Sequence, residues 1–177
     1  MYRRGFTIVE LIIVITIMGI LLVLGVVNLR GSQMNARDTE RKGDVESIAL
    51  NMESFYTSGT DGSTIFGRYP STTIIGNETT YLRDVDPKTL ASPGLSSPSL
   101  VPATCITTCV QTTAGVTPQP TEATYVYQPV KSDGSLCATE LEECRKFNIY
   151  YKLEVASSNT AQCPSPGFVC IVTSKNQ

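Results

Sequence analysis

The stretch FTIVELIIVITIMGILLVLGVVNL, Phe6 to Leu29, holds only two strongly polar residues, Glu10 and Asn28. As a helix it would be about 36 Å long, enough to cross a hydrocarbon layer of about 30 Å. A helix apolar on every side is not the surface helix of a water-soluble domain. A cleaved secretory signal has a shorter apolar core followed by a small-x-small site, and "VVNLRGS" offers no such site. A simple single-pass anchor fits the length but leaves Glu10 unexplained, because a carboxylate in hydrocarbon costs several kcal/mol unless it finds a partner. Arg3 and Arg4 precede the run, and Arg30, Arg37, Arg41 and Lys42 follow it, so flanking charge does not set the orientation.

The 177 residues leave roughly 120 beyond this helix and its extension, enough for one small domain. Net charge is −2 and the pI about 5.2, so no basic face for nucleic acid is expected. Histidine is absent. Ser-His-Asp, Cys-His and His-metal arrangements are therefore excluded within one chain. No catalysed reaction and no cofactor are expected.

All six cysteines lie between Cys105 and Cys170. An even number in the distal half points to disulfides in an oxidising compartment, which places this half outside the cell. Zinc would call for close Cys-x-x-Cys pairs, and none is present. Many connectivities are open. The spacing favours local pairs, Cys137–Cys144 and Cys163–Cys170, each worth about 2–3 kcal/mol in the chain-entropy account. Cys105 and Cys109 remain as the third pair.

The helical pattern continues past Leu29. Val45, Ile48, Ala49, Met52, Phe55 and Tyr56 form one apolar stripe, and Gly59 and Gly62 follow as stop signals. One helix from about residue 6 to 58 is predicted, with a bend near Gly31 or Gly43. The charged stretch "ARDTERKGD" reads as a solvated face with i,i+4 pairs. Next come short apolar pieces among turns. Asp84 and Asp86 in "DVDP" are hard oxygen ligands, but too few for a calcium loop, so a turn is expected. Asn77-Glu78-Thr79 matches a glycosylation sequon. In residues 92–124, 12 of 33 residues are Ser or Thr and five are Pro, a composition that cannot build its own core, so a long surface loop is expected.

The last third reads as a small antiparallel sheet. "YVYQPV" is a strand, "KSDG" a turn, and "GFVCIVTS" a closing strand. In "FNIYYKLEV", Phe147, Ile149, Tyr151, Leu153 and Val155 alternate with Asn148, Tyr150, Lys152 and Glu154, the pattern of a half-buried strand.

"RRGFTIVELIIVITIMGILL" resembles the N-terminus of the type IV pilin and pseudopilin family, with its class III-type leader: basic residues (Arg3, Arg4), a Gly before the cleavage site (Gly5), an aromatic new N-terminus (Phe6), and a Glu four residues further on (Glu10). The resemblance covers about 25 residues. It implies an α+β pilin fold, a long N-terminal helix packed on a small antiparallel sheet with a disulfide-stapled C-terminal region. It also implies a leader at 1–5, a membrane and filament-core helix at 6–29, its amphipathic continuation at 30–58, and a head domain at 59–177. A prepilin peptidase would cleave after Gly5, and Phe6 would be N-methylated. Cleavage creates an ammonium at Phe6 inside the apolar layer, and Glu10 of a neighbouring subunit is its natural counter-ion.

The function so implied is a structural subunit of an extracellular type IV pilus, supporting adhesion and twitching motility. Its partners would be copies of itself, minor pilins, a platform protein and an assembly ATPase, with the membrane holding the precursor. A pseudopilin of a type II secretion system shares every N-terminal feature. A membrane-anchored adhesin or receptor that does not polymerise is the alternative from a different class.

Overall fold

The computed structural model of the chain describes residues 5–59, 66–75, 82, 85–105, 108–139, 141–155, 162–163 and 168–175, with Val27 described in its backbone only. Arg3 and Arg4, the sequon at 77–79 and Asp84 lie outside the described residues. The elements in chain order are α1 (Ile8–Ser58), α2 (Thr72–Ile75), β1 (Leu100–Pro102), β2 (Tyr125–Val130), β3 (Lys146–Lys152) and β4 (Val169–Thr173). Two compact units divide the chain, Met1–Ala36 and Arg37–Gln177.

The first unit contains residues 8–36 of α1. Its large apolar side chains are exposed from Ile8 to Leu29, and the helix is long and apolar enough to cross a membrane. An apolar surface of this extent is unfavourable in water, and a lipid layer would suit it.

The second unit is an α+β domain in which residues 37–58 of α1 pack on a four-stranded mixed sheet of order β1-β2-β3-β4. β2, β3 and β4 are antiparallel neighbours, with Tyr127 opposite Ile149 and Ile149 opposite Val172. β1 adds to the free edge of β2 in parallel, Leu100 beside Tyr125. The apolar stripe of α1 supplies Val45, Ile48, Ala49 and Met52 to a core completed by Tyr127, Phe147, Ile149 and Tyr151. Tyr69 stands edge-on to Phe147 with centroids 4.8 Å apart, and the Tyr127 hydroxyl donates to the Pro70 carbonyl at 2.8 Å. α1 ends where Gly59, at φ +65°, donates its N–H to the Phe55 carbonyl at 2.8 Å. This left-handed cap costs glycine nothing and satisfies one of the last carbonyls.

The central strands β2 and β3 are buried on both faces, not half-buried. All six residues of β2 are buried, and so are Phe147 to Tyr151 of β3, Asn148 and Tyr150 included. The cover comes from the Ser/Thr/Pro-rich stretch 92–124. Besides contributing β1, it lays Ala103 and Val116 against Val126 and Tyr150. Burial of polar groups on that face is offset by pairing. Gln128 Oε1 accepts from the Tyr150 hydroxyl at 2.9 Å and from Asn148 Nδ2 at 3.1 Å, while Gln128 Nε2 donates to the Val110 carbonyl at 3.0 Å. A segment too poor in apolar residues for its own core thus finishes the core of its neighbour.

Candidate assembly surface

Glu10 occupies the third position of α1, and Thr7 is its N-cap. The Thr7 N–H donates to Glu10 Oε2 at 2.8 Å, the Thr7 hydroxyl donates to the same oxygen at 2.7 Å, and the Glu10 N–H donates to Thr7 Oγ1 at 3.3 Å. This is a capping box: each side chain satisfies a backbone donor that the first turn leaves without a partner. The T-x-x-E spacing was present in the sequence and carries this local role for Glu10, so Thr7 belongs to the site. Both bonds to the carboxylate fall on Oε2. Glu10 itself, Gly5 and Phe6 are exposed, and the apolar side chains beyond them are exposed as well. Between Gly5 and Leu29, Glu10 is the one ionisable side chain, at the end of a long apolar surface.

In the second unit, the stretch expected to be solvated carries a buried ion cluster. Asp38 is 5% exposed and Arg41 2%. Arg41 donates to Asp38 Oδ1 at 2.8 Å, pairs with Glu154 Oε1 at 2.8 Å, and reaches the Glu122 carbonyl at 3.1 Å. Arg37 Nε donates to Glu154 Oε1 at 2.7 Å. Asp38 in turn accepts from the N–H groups of Glu154 and Val155, each at 2.8 Å. The cluster ties α1 to the chain leaving β3. Residues 38 and 41 continue the period of the apolar stripe, two turns and one turn ahead of Val45 respectively, and that phase was the signal for their burial. The Arg37 hydrogen bond, reinforced by Arg41, holds the Glu154 carboxyl down at about 2. Close by in sequence, burial and then the Glu40 carboxylate push Asp44 up to about 6. Its Oδ2 accepts from the Tyr125 hydroxyl at 3.4 Å.

The six cysteines form three bonds, Cys105–Cys109, Cys137–Cys144 and Cys163–Cys170. Cys137–Cys144 closes the β2–β3 connection, whose backbone is held by Thr72 N–H to the Cys137 carbonyl and Tyr69 N–H to the Cys144 carbonyl. Cys105–Cys109 staples the segment that covers the outer face of the sheet. Asp86 caps its own turn, accepting from the Lys88 N–H at 2.9 Å. Among the described residues no group of three His, Cys, Asp or Glu side chains is placed to hold a metal ion.

Residues 1–26 match the family described as the prokaryotic N-terminal methylation motif. That motif is the class III leader of type IV pilins, and here it spans Gly5, Phe6, Thr7 and Glu10. Comparison with curated proteins and with solved structures returned no match. The leader motif and the exposed apolar helix fit a pilin-like or pseudopilin-like precursor anchored in the membrane, and they point to a structural rather than a catalytic protein.

Proposed function

We propose that the chain is the structural subunit of an extracellular type IV pilus. The observation that carries this reading is the conjunction of the methylation motif with an apolar helix whose side chains are exposed around a single carboxylate, Glu10. A prepilin peptidase cuts between Gly5 and Phe6, and Phe6 is N-methylated. The new ammonium at Phe6 meets the Glu10 carboxylate of a neighbouring subunit. In a water-free layer either charge alone is costly, so the pair specifies axial register. The capping bonds use Oε2, which leaves Oε1 for this second partner. Helix packing replaces lipid around residues 6–29 as subunits are extracted into the filament. A platform protein and an assembly ATPase supply the work, minor pilins share the filament, and the filament supports adhesion and twitching motility. The disulfide-stapled domain and the Ser/Thr/Pro-rich cover suit a surface-exposed fibre better than a periplasmic pseudopilus.

The test is mass spectrometry of filaments sheared from the cell surface. The expected result is abundant chain that begins at methyl-Phe6. Chain that begins at Met1 and stays in the membrane fraction refutes the proposal.

A further inference from the structure

The three disulfides stand in different surroundings. Cys137, Cys144, Cys163 and Cys170 belong to the core that α1 shares with the sheet, and none of them is more than 4% exposed. Cys105 and Cys109 belong to neither apolar cluster. Cys109 is buried, but Cys105 is half-buried and stands in the wall of a surface cavity of about 400 Å3. Thr104, Thr108, Val110 and Thr117 line that cavity with it, and among the described residues no charged side chain does. Access decides which disulfide a thiol can attack. A pair in the core reacts only after the domain opens, whereas a sulfur in a cavity wall can be reached in the native state.

The backbone around this bridge has other holds. Ahead of it, the Ala103 N–H donates to the Tyr127 carbonyl and the Thr104 N–H to the Thr117 carbonyl, both at 2.7 Å. After it, the Cys109 N–H donates to the Gly134 carbonyl at 3.1 Å, and the Val110 carbonyl accepts from Gln128 Nε2 at 3.0 Å. No sulfur takes part in these bonds. The cover over Val126 and Tyr150 therefore keeps its attachments on both sides when the bridge opens.

We propose that Cys105 is an exchange site for low-molecular-weight thiols, opening and reclosing its bond to Cys109 without unfolding of the domain. A cavity of this size admits a small thiol and keeps out a protein surface. A thiolate attacks Cys105 Sγ, the bond to Cys109 Sγ breaks, and its electron pair leaves on Cys109, which takes up a proton. Cys105 then carries the small thiol as a mixed disulfide. A second thiolate attacks the outer sulfur of that adduct and releases Cys105, and the two small thiols depart joined as their own disulfide. The reverse steps reoxidise the two protein sulfurs and reduce one small disulfide. The filament reading plays no part in this.

The test incubates the full-length protein in detergent, disulfides intact, with reduced glutathione. Thiols are trapped at intervals with N-ethylmaleimide, and peptides are mapped without reduction. The expected first product carries glutathione on Cys105 and maleimide on Cys109. It forms at least about a hundredfold faster than any product of the other four cysteines, while the near-ultraviolet circular dichroism stays native. Oxidised glutathione added before trapping restores the Cys105–Cys109 peptide. Earlier adducts on the core cysteines, simultaneous opening of all three bridges, first attachment to Cys109, or loss of the native spectrum with the first adduct overturns the proposal. A second arm fills the cavity. Thr117 is exposed, so Thr117→Trp folds, and it is expected to slow the first adduct about tenfold by narrowing access to Cys105. An unchanged rate in this variant overturns the assignment of the cavity as the entry.

Discussion

Thr7 and Glu10 are joined by three hydrogen bonds at the start of α1, so the one carboxylate of the apolar helix has a partner within its own chain. Glu10 therefore caps the helix, the proposed function adds the role of counter-ion, and substitutions separate the two. Glu10→Gln keeps the capping box, since Gln also serves at that position, but removes the charge. Thr7→Val removes the cap at a cost of about 1 kcal/mol and keeps the charge. If the charge drives assembly, Glu10→Gln inserts, is cleaved and folds its outer domain, yet enters filaments poorly, while Thr7→Val enters nearly as well as wild type. If capping is the whole role, the ranking reverses. The measurement is the ratio of variant in sheared filaments at matched membrane levels, in cells without the wild-type copy.

Processing depends on a backbone that can enter a peptidase cleft at the membrane surface. Gly5 has no neighbouring atom within 4 Å of where a Cβ would stand, so a larger residue does not disturb this chain's own fold. Gly5→Val is therefore expected to block cleavage while leaving the outer domain intact. Immunoblots should show full-length precursor in the membrane and none in filaments. Normal filaments from this variant refute cleavage at Gly5.

The elements with long, regular patterns were legible in the sequence: the apolar run, the stripe from Val45 to Tyr56, and the three antiparallel strands. β1 was not, because three residues ending in Pro102 carry no periodic signal, and their strand character comes from pairing along β2. Asn148 reads as solvent-facing, since no local pattern reveals that a distant polar segment will cover that face and that Gln128 will satisfy its amide. Asp38 and Arg41 were read by their chemistry when their phase placed them on the buried face. Charged side chains can occupy that face only with a partner, and Glu154 lies more than a hundred residues away in the chain.

That ion cluster makes a stability prediction with an internal control. Glu154→Gln leaves Arg41 buried without one of its two carboxylates, and breaking a buried pair this way costs about 3–5 kcal/mol. Arg37 has a side chain 39% exposed, so Arg37→Ala is expected to cost about 1 kcal/mol or less. Thermal unfolding of the full-length protein in detergent, disulfides intact, should rank the two in that order. Equal losses would mean that Arg37 rather than Arg41 holds Glu154.

Asp44 and Glu154 give the second unit opposite responses to pH. Glu154 titrates at about 2, below its ordinary 4.5, so the native state binds fewer protons than the unfolded chain between those values. Its stabilisation is complete above about 4.5 and is lost as pH falls through about 2. Asp44 titrates at about 6, above its ordinary 3.8, chiefly because burial disfavours its charged form and Glu40 repels it. Here the native state binds more protons, so stability is highest below about 3.8 and declines as pH rises through about 6. Asp44 is only partly buried, so the decline is expected to be on the order of 1 kcal/mol. Asp44→Asn cannot ionise and keeps a side-chain oxygen to accept the Tyr125 hydroxyl. The variant should match wild type near pH 4, exceed it near pH 7, and still lose stability below pH 4 through Glu154. Unfolding midpoints of both proteins across pH 3 to 7 measure this. Parallel profiles above pH 4 would show that Asp44 is not the group responsible.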